Sequence, residues 1–173
     1  MIDEPIYLEK HDPLWKQQFI REQERIRIAL QIDPTVIQHI GSTAISNICV
    51  KPIIDIMIGA ETFPPLQHWI NGLTDLNYEA IGEAGVPGRL YFRYRGLQSF
   101  NVHLVQREER HWKSNLALRD YLRADPQEAE RYEKVKMKAV QSGVSSLLRY
   151  SQVKSEIIEE LLSKALKWLT ETN

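Results

Sequence analysis

The run Ile53-Ile54-Asp55-Ile56-Met57-Ile58 constrains this chain more than any other stretch. It is short, rich in β-branched residues, and bounded by Lys51-Pro52 and Gly59, so it reads as a strand. A half-wet strand alternates apolar and polar residues. This one is apolar on both faces, which places it inside a sheet covered on both sides. Asp55 stands in its middle. A buried carboxylate costs several kcal/mol unless it is paired or metal-bound. Two readings follow: a structural pair with Lys51 or an arginine, or a functional carboxylate.

The rest of the chain supplies the sheet's partners and covers. Asp12-Pro13 opens a helix on which Leu14, Trp15, Phe19, Ile26 and Leu30 recur at helical spacing. Asp33-Pro34 ends it. Residues 36–40, 53–58, 78–81, 90–95 and 100–106 read as strands. Residues 63–76 read as a helix opened by Pro64-Pro65. The Gly85-Val86-Pro87-Gly88 stretch and the Gly96 region are connections. Beyond them the texture is helical. One helix covers 109–123 and stops before Asp125-Pro126, a second reaches 142, and Gly143 breaks it. A third covers 151–170, with Val153, Ile157, Leu161, Leu162 and Leu166 on one stripe. Trp15, Trp69, Trp112 and Trp168 sit among apolar residues and read as core. Strands followed by helices argue α+β. The expectation is one domain over residues 1–173: a small mixed β-sheet flanked by helices over 1–107, with a C-terminal helical segment over 108–173.

Charge narrows the partners. Twenty-two basic residues face 23 acidic ones, for a net charge of −1. Bulk attraction to nucleic acid or to an anionic membrane is not expected, so a polyanion needs a local basic cluster. Cys49 is the single cysteine, which rules out an intrachain disulfide and a Cys-rich zinc site. Met1-Ile2-Asp3-Glu4 begins no signal-peptide pattern, and no apolar stretch approaches the ~18 residues of a membrane helix. A reducing cytoplasm is the expected compartment.

The chemistry concentrates between residues 39 and 58. A Gly41-Ser42-Thr43 turn after a strand offers backbone N–H groups and a hydroxyl to a phosphate, although any turn uses such residues. Alternation puts Ile53, Asp55 and Met57 on one face, and Asn101, His103 and Val105 on one face of a later strand. If those strands are neighbours, Asp55 and His103 face a common space, with His39 near. Arg93 and Arg95 share a face with Tyr91 and suit an anion, or else mark a solvated edge strand. Arg119 and Arg123, one turn apart, either face the sheet or decorate a helix surface. Lys134, Lys136 and Lys138 cannot share one helical face, so that run is expected to be mostly solvated.

Several of these stretches together resemble the GrpB-like family, a branch of the nucleotidyltransferase superfamily. They are His39-Ile40-Gly41-Ser42-Thr43-Ala44 with Lys51-Pro52-Ile53-Ile54-Asp55-Ile56, Asn101-Val102-His103-Leu104-Val105, and residues 118–126. Tyr132, Lys136, Tyr150 and Lys154 match its C-terminal spacing. The resemblance implies a nucleotidyltransferase fold and transfer of a nucleoside monophosphate from an NTP to a small-molecule acceptor, with release of pyrophosphate. It assigns Gly41, Ser42 and Thr43 to the triphosphate, and Lys51, Arg93, Arg119 and Lys154 to its charge. Asp55 is then a catalytic metal ligand, and His103 a ligand or general base.

The superfamily's second carboxylate is here Met57, and its third position is taken by His103 or Asn101. One carboxylate with His39 and His103 suits a single Zn²⁺ or Mn²⁺ more readily than a Mg²⁺ pair. Two alternatives accompany this reading. One is a phosphate- or nucleotide-binding module without chemistry. The other is a metal-dependent phosphohydrolase built on His39, Asp55 and His103.

Overall fold

The computed structural model describes residues 4–172. Residues 1–3, part of the opening read for a signal peptide, lie outside the described residues, as does residue 173. In chain order the elements are α1 (Leu14–Leu30), β1 (Ile37–Ile40), β2 (Ile53–Ala60), α2 (Gln67–Asp75), β3 (Glu79–Gly82), β4 (Arg89–Tyr94), β5 (Ser99–Gln106), α3 (Arg110–Ala124), α4 (Pro126–Gln141) and α5 (Leu147–Thr172). The sheet order is β1-β2-β5-β4-β3. β2 and β5 pair in parallel at its centre, and every other pairing is antiparallel. The α+β class and the mixed sheet are as the sequence predicts.

Several element ends move for local reasons. α1 ends at Gln31, which takes a left-handed conformation at φ 56°, and Asp33-Pro34 instead opens a short 3₁₀ turn. α2 begins at Gln67, four residues later than predicted. Phe63 precedes Pro64, and Pro64 precedes Pro65, so neither favours helical geometry. α5 begins at Leu147, four residues early, because Ser146 caps it: its hydroxyl accepts from the Arg149 N–H at 3.4 Å.

The central strand is buried as its composition demands. Ile54, Ile56 and Ile58 are fully buried in the main core, with Ile26 and Leu30 of α1, Leu73 of α2, and Val102 and Leu104 of β5. On the opposite face Met57 packs with Ile40, Val105 and Trp112 of α3. α3 comes so close that a Cβ on Gly59 would lie 2.6 Å from the Trp112 ring. α3 thus covers one end of that face, and its other end carries Asp55. α4 and α5 pack against each other and against α3. Trp69 and Trp168 pack against the core as expected. Among the described residues no helix is long and apolar enough to cross a membrane.

α5 should therefore derive its stability from its buried stripe. Leu161 is fully buried, whereas Val153 on the same helix is 43% exposed. Leu161→Ala is expected to lower the unfolding free energy by about 2–5 kcal/mol, read as a lower urea midpoint. Val153→Ala is expected to change it by less than about 0.5 kcal/mol. Equal effects would show that α5 is not docked by this face.

Candidate functional site

Strand register assembles the site. Directly opposed residues share a face of the sheet. Ile40 opposes Asp55, Asp55 opposes Asn101, Asn101 opposes Arg93, and Arg93 opposes Glu79. The next row on the same face runs Met57, His103, Tyr91. One polar row thus crosses the sheet beside an apolar and aromatic one. The Gly41 turn, α4 and α5 close a cleft of about 430 Å³ over these rows.

Asp55 lies at the floor of the cleft. Its Oδ1 accepts from Asn101 Nδ2 at 2.7 Å and from Lys51 Nζ at 3.4 Å. His103 Nε2 lies 3.6 Å from the same oxygen. Burial would raise the carboxyl's pKa, but the Lys51 charge, His103 and Asn101 outweigh it and hold it far below the ordinary range. Burial lowers the pKa of Lys51, opposed by Asp55. Burial likewise lowers His103, again opposed by Asp55. Arg89 Nη1 lies 3.4 Å from His103 Nδ1, an arrangement that leaves the ring proton on Nε2, towards Asp55.

Gly41 roofs the carboxylate. Its φ is +69°, and a Cβ there would lie 2.6 Å from Asp55 Oδ2, so only glycine lets the turn pass. Ser42 Oγ reaches the Tyr132 hydroxyl at 3.3 Å across the cleft. Arg93 is paired with Glu79 at 2.6 Å. Arg95, just beyond β4, donates to Asn101 Oδ1 at 3.1 Å. Lys154 stands 4.5 Å above the Tyr150 ring and has no carboxylate within ion-pair distance among the described residues. Four cationic side chains, Lys51, Arg89, Arg93 and Lys154, line the cleft against two carboxylates, Glu4 and Asp55.

The cleft brings together Asp55, His103, Gly41, Ser42, Lys51, Arg93 and Lys154. Three predicted site residues lie elsewhere. His39 opposes Ile56, not Asp55, so it points to the other face of the sheet. There its ring stacks on Phe19 and its Nε2 lies 3.0 Å from Thr43 Oγ1, which turns Thr43 away from the cleft as well. Arg119, on α3, reaches the β1 edge of the sheet and not Asp55: its Nη1 donates to Gln38 Oε1 and to the His39 carbonyl. These three residues line a separate cavity of about 790 Å³.

Other residues escaped the sequence reading. Arg89 was legible in principle, since it lies two positions before Tyr91 on a strand. Lys136 was not. It is fully buried, donates to the Cys49 carbonyl at 2.7 Å and stands 4.6 Å above the Tyr132 ring. Burial, with Lys154 nearby, pulls its amine down to about 7. The run 134–138 is therefore not uniformly solvated.

The expected metal centre does not fit these residues. A shared site on Asp55, His39 and His103 fails because the sheet separates His39 from the other two. Met57, at the second carboxylate position, is fully buried against Trp112. Asp55 Oδ1 already faces an amide and an ammonium. Among the described residues no group of three or more His, Cys, Asp or Glu is placed to hold a metal ion.

His39 makes stability pH-dependent. Burial first, then the Arg123 charge, pushes its imidazole down to about 4. An unfolded histidine titrates near about 6.5. Between those values the unfolded chain binds more protons, so stability rises with pH there and falls on acidification. The loss from pH 7 to 4 is expected to reach up to about 3 kcal/mol from this group. In His39→Gln the unfolding free energy should fall less over that window. Parallel profiles would show that His39 titrates alike in both states.

The sequence matches the GrpB protein family over residues 5–164. It is 32% identical over 155 residues to UPF0157 protein YqkA of Bacillus subtilis, an alignment covering 89% of this chain and 45% of that protein. The chain thus spans less than half of that relative's length. Glutamate-rich protein GrpB of Alkalihalophilus pseudofirmus is 27% identical over 165 residues, covering 92% of this chain and 95% of that one. The crystal structure of conserved protein GrpB from Enterococcus faecalis superposes with a TM-score of 0.77 at 28% identity, over 91% of this chain and 98% of the other. Sequence and fold converge, and the chain belongs to the GrpB family.

Proposed function

We propose that the Asp55 cleft binds the phosphates of a nucleoside triphosphate and that the protein transfers the nucleotidyl group to a small acceptor. The observation that carries this reading is the excess of cationic side chains over carboxylates around a closed cleft beneath a Gly-Ser turn. Phosphoryl chemistry needs little covalent help from a protein. It depends on positioning and on charge stabilisation.

The parts have distinct roles in this reading. Lys154 and Arg89 meet the outer phosphates, since neither has a carboxylate partner among the described residues. Arg93 and Lys51 are already paired and supply fixed positive potential. The Ser42 hydroxyl, steered by Tyr132, orients a phosphate oxygen. The acceptor oxygen forms the new bond to the α-phosphorus and gives up its hydroxyl proton to solvent, while the bond to the β-phosphate bridge breaks. The charge of the departing pyrophosphate is borne by the cations.

A second reading has its own support: nucleotide binding without turnover. Met57 fills the place of a second carboxylate with an apolar side chain sealed under α3. Pyrophosphate release on addition of an NTP and a pool of acceptors separates the two readings.

Binding is tested first. Calorimetric titration with each NTP is expected to give saturable binding, weakened about 10- to 100-fold in Lys154→Ala and in Arg89→Ala, the loss of one charged hydrogen bond. Absence of binding by every NTP at millimolar concentration would end this proposal.

A further inference from the structure

We infer that the Lys51 ammonium occupies the place of a divalent cation on Asp55, and that the cleft takes the phosphate groups of its ligand without metal. This deepens the reading of the cleft as a phosphate site and rests on it.

The argument begins at the carboxylate. Among the described residues, the groups around Asp55 Oδ1 are donors or cations: the Asn101 amide, the Lys51 ammonium and, at 3.6 Å, the Nε2 side of His103. The Gly41 backbone passes over Oδ2. A metal ion approaching this carboxylate meets hydrogens and positive charge where it needs lone pairs. A phosphate oxygen meets the opposite, since Lys51 has three N–H donors and directs one at Asp55.

Lys51 is also held there by its backbone. Val50 and Glu9 exchange two backbone hydrogen bonds at 2.8 Å. The Cys49 N–H donates to Glu133 Oε1, and the Cys49 carbonyl accepts from Lys136. On the other side Ile53 N–H bonds the Lys51 carbonyl, and Pro52 restricts the peptide between them. The ammonium is therefore delivered from a clamped segment into a site where the lysine and aspartate side chains are 14% and 13% exposed. Its departure would leave a buried carboxylate unpaired, the costly direction for a buried pair.

The remaining cations suit the rest of such a ligand. Arg89 is anchored by two carbonyls, Glu83 and Ala84, and its buried Nε has no partner among the described residues. Lys154 approaches from α5 on the opposite wall. The ligand class is a polyphosphate or phosphate ester in its metal-free form.

Two titrations decide the matter. Mn²⁺ alone is titrated into the full chain and followed by paramagnetic resonance. Wild type is expected to show no saturable site, Lys51→Met to gain one, and Lys51→Met/Asp55→Asn to lose it again. A wild-type Mn²⁺ site abolished by Asp55→Asn would overturn the inference. That arm needs no folded Lys51 variant. Tripolyphosphate is then titrated with EDTA and with excess Mg²⁺. Binding is expected to be tightest in EDTA, weaker in excess Mg²⁺, which chelates the free polyphosphate, and weakened at least about tenfold by Lys51→Met. Binding lost in EDTA would overturn the metal-free site and leave the phosphate reading standing. Binding in neither condition would overturn both.

Discussion

The buried Asp55 carboxylate sets the terms for the structure around it. A charge taken out of water inside an apolar strand must be compensated from every side. The compensation comes from separate parts of the chain. Asn101 and His103 arrive on β5, Lys51 from the approach to β2, and Gly41 from the turn after β1. The parallel β2–β5 pairing is held to one register by this need. A slip of one residue would turn Asn101 and His103 away and set Phe100 or Val102 against the carboxylate. Gly41 answers the same demand sterically, because a side chain there would collide with Asp55.

Legibility in the sequence follows the range of each interaction. The double-sided apolar run identified the buried central strand, and alternation placed Asp55 with Met57 and Asn101 with His103. Both are properties of single strands. That the two strands are neighbours needed the tertiary pairing, and the structure supplies it. His39 shows the limit from the other side. Alternation says that His39 and Ile40 face opposite ways, but only the register of β1 against β2 says which of them joins Asp55. Arg119 failed for a related reason: helical spacing gave its face, but not that this face would meet the edge strand β1, at Gln38 and the His39 carbonyl, away from Asp55. Lys136 failed because a buried lysine looks like any other in a charged run. Its partners, Cys49 and Tyr132, lie on different elements.

The turn at Gly41 is shared by two cavities, and α3 secures it. Arg119 donates to the His39 carbonyl just before the turn, and Arg123 donates to the Ala44 carbonyl at its end, at 2.8 Å. Thr43 is tied to His39 on the far face, while Ser42 reaches Tyr132 on the near one. The turn thus has fixed ends and two differently engaged side chains. Arg119 and Thr43, assigned by resemblance to ligand charge and ligand cradle, instead hold the segment from which Ser42 projects.

A carboxylate at the floor of a proposed anion site looks contradictory, and Lys51 resolves it. Burial alone drives an amine towards its neutral form, and Asp55 is the charge that opposes this at Lys51. Remove the carboxylate and the cleft keeps its shape on paper but loses the force that holds the ammonium charged and aimed. Asp55 does not need to touch a ligand to matter for its binding. It sustains the potential that a phosphate would meet, while Asn101 and His103 keep the carboxylate ionised in turn. The negative residue is then what makes the positive site possible at this depth.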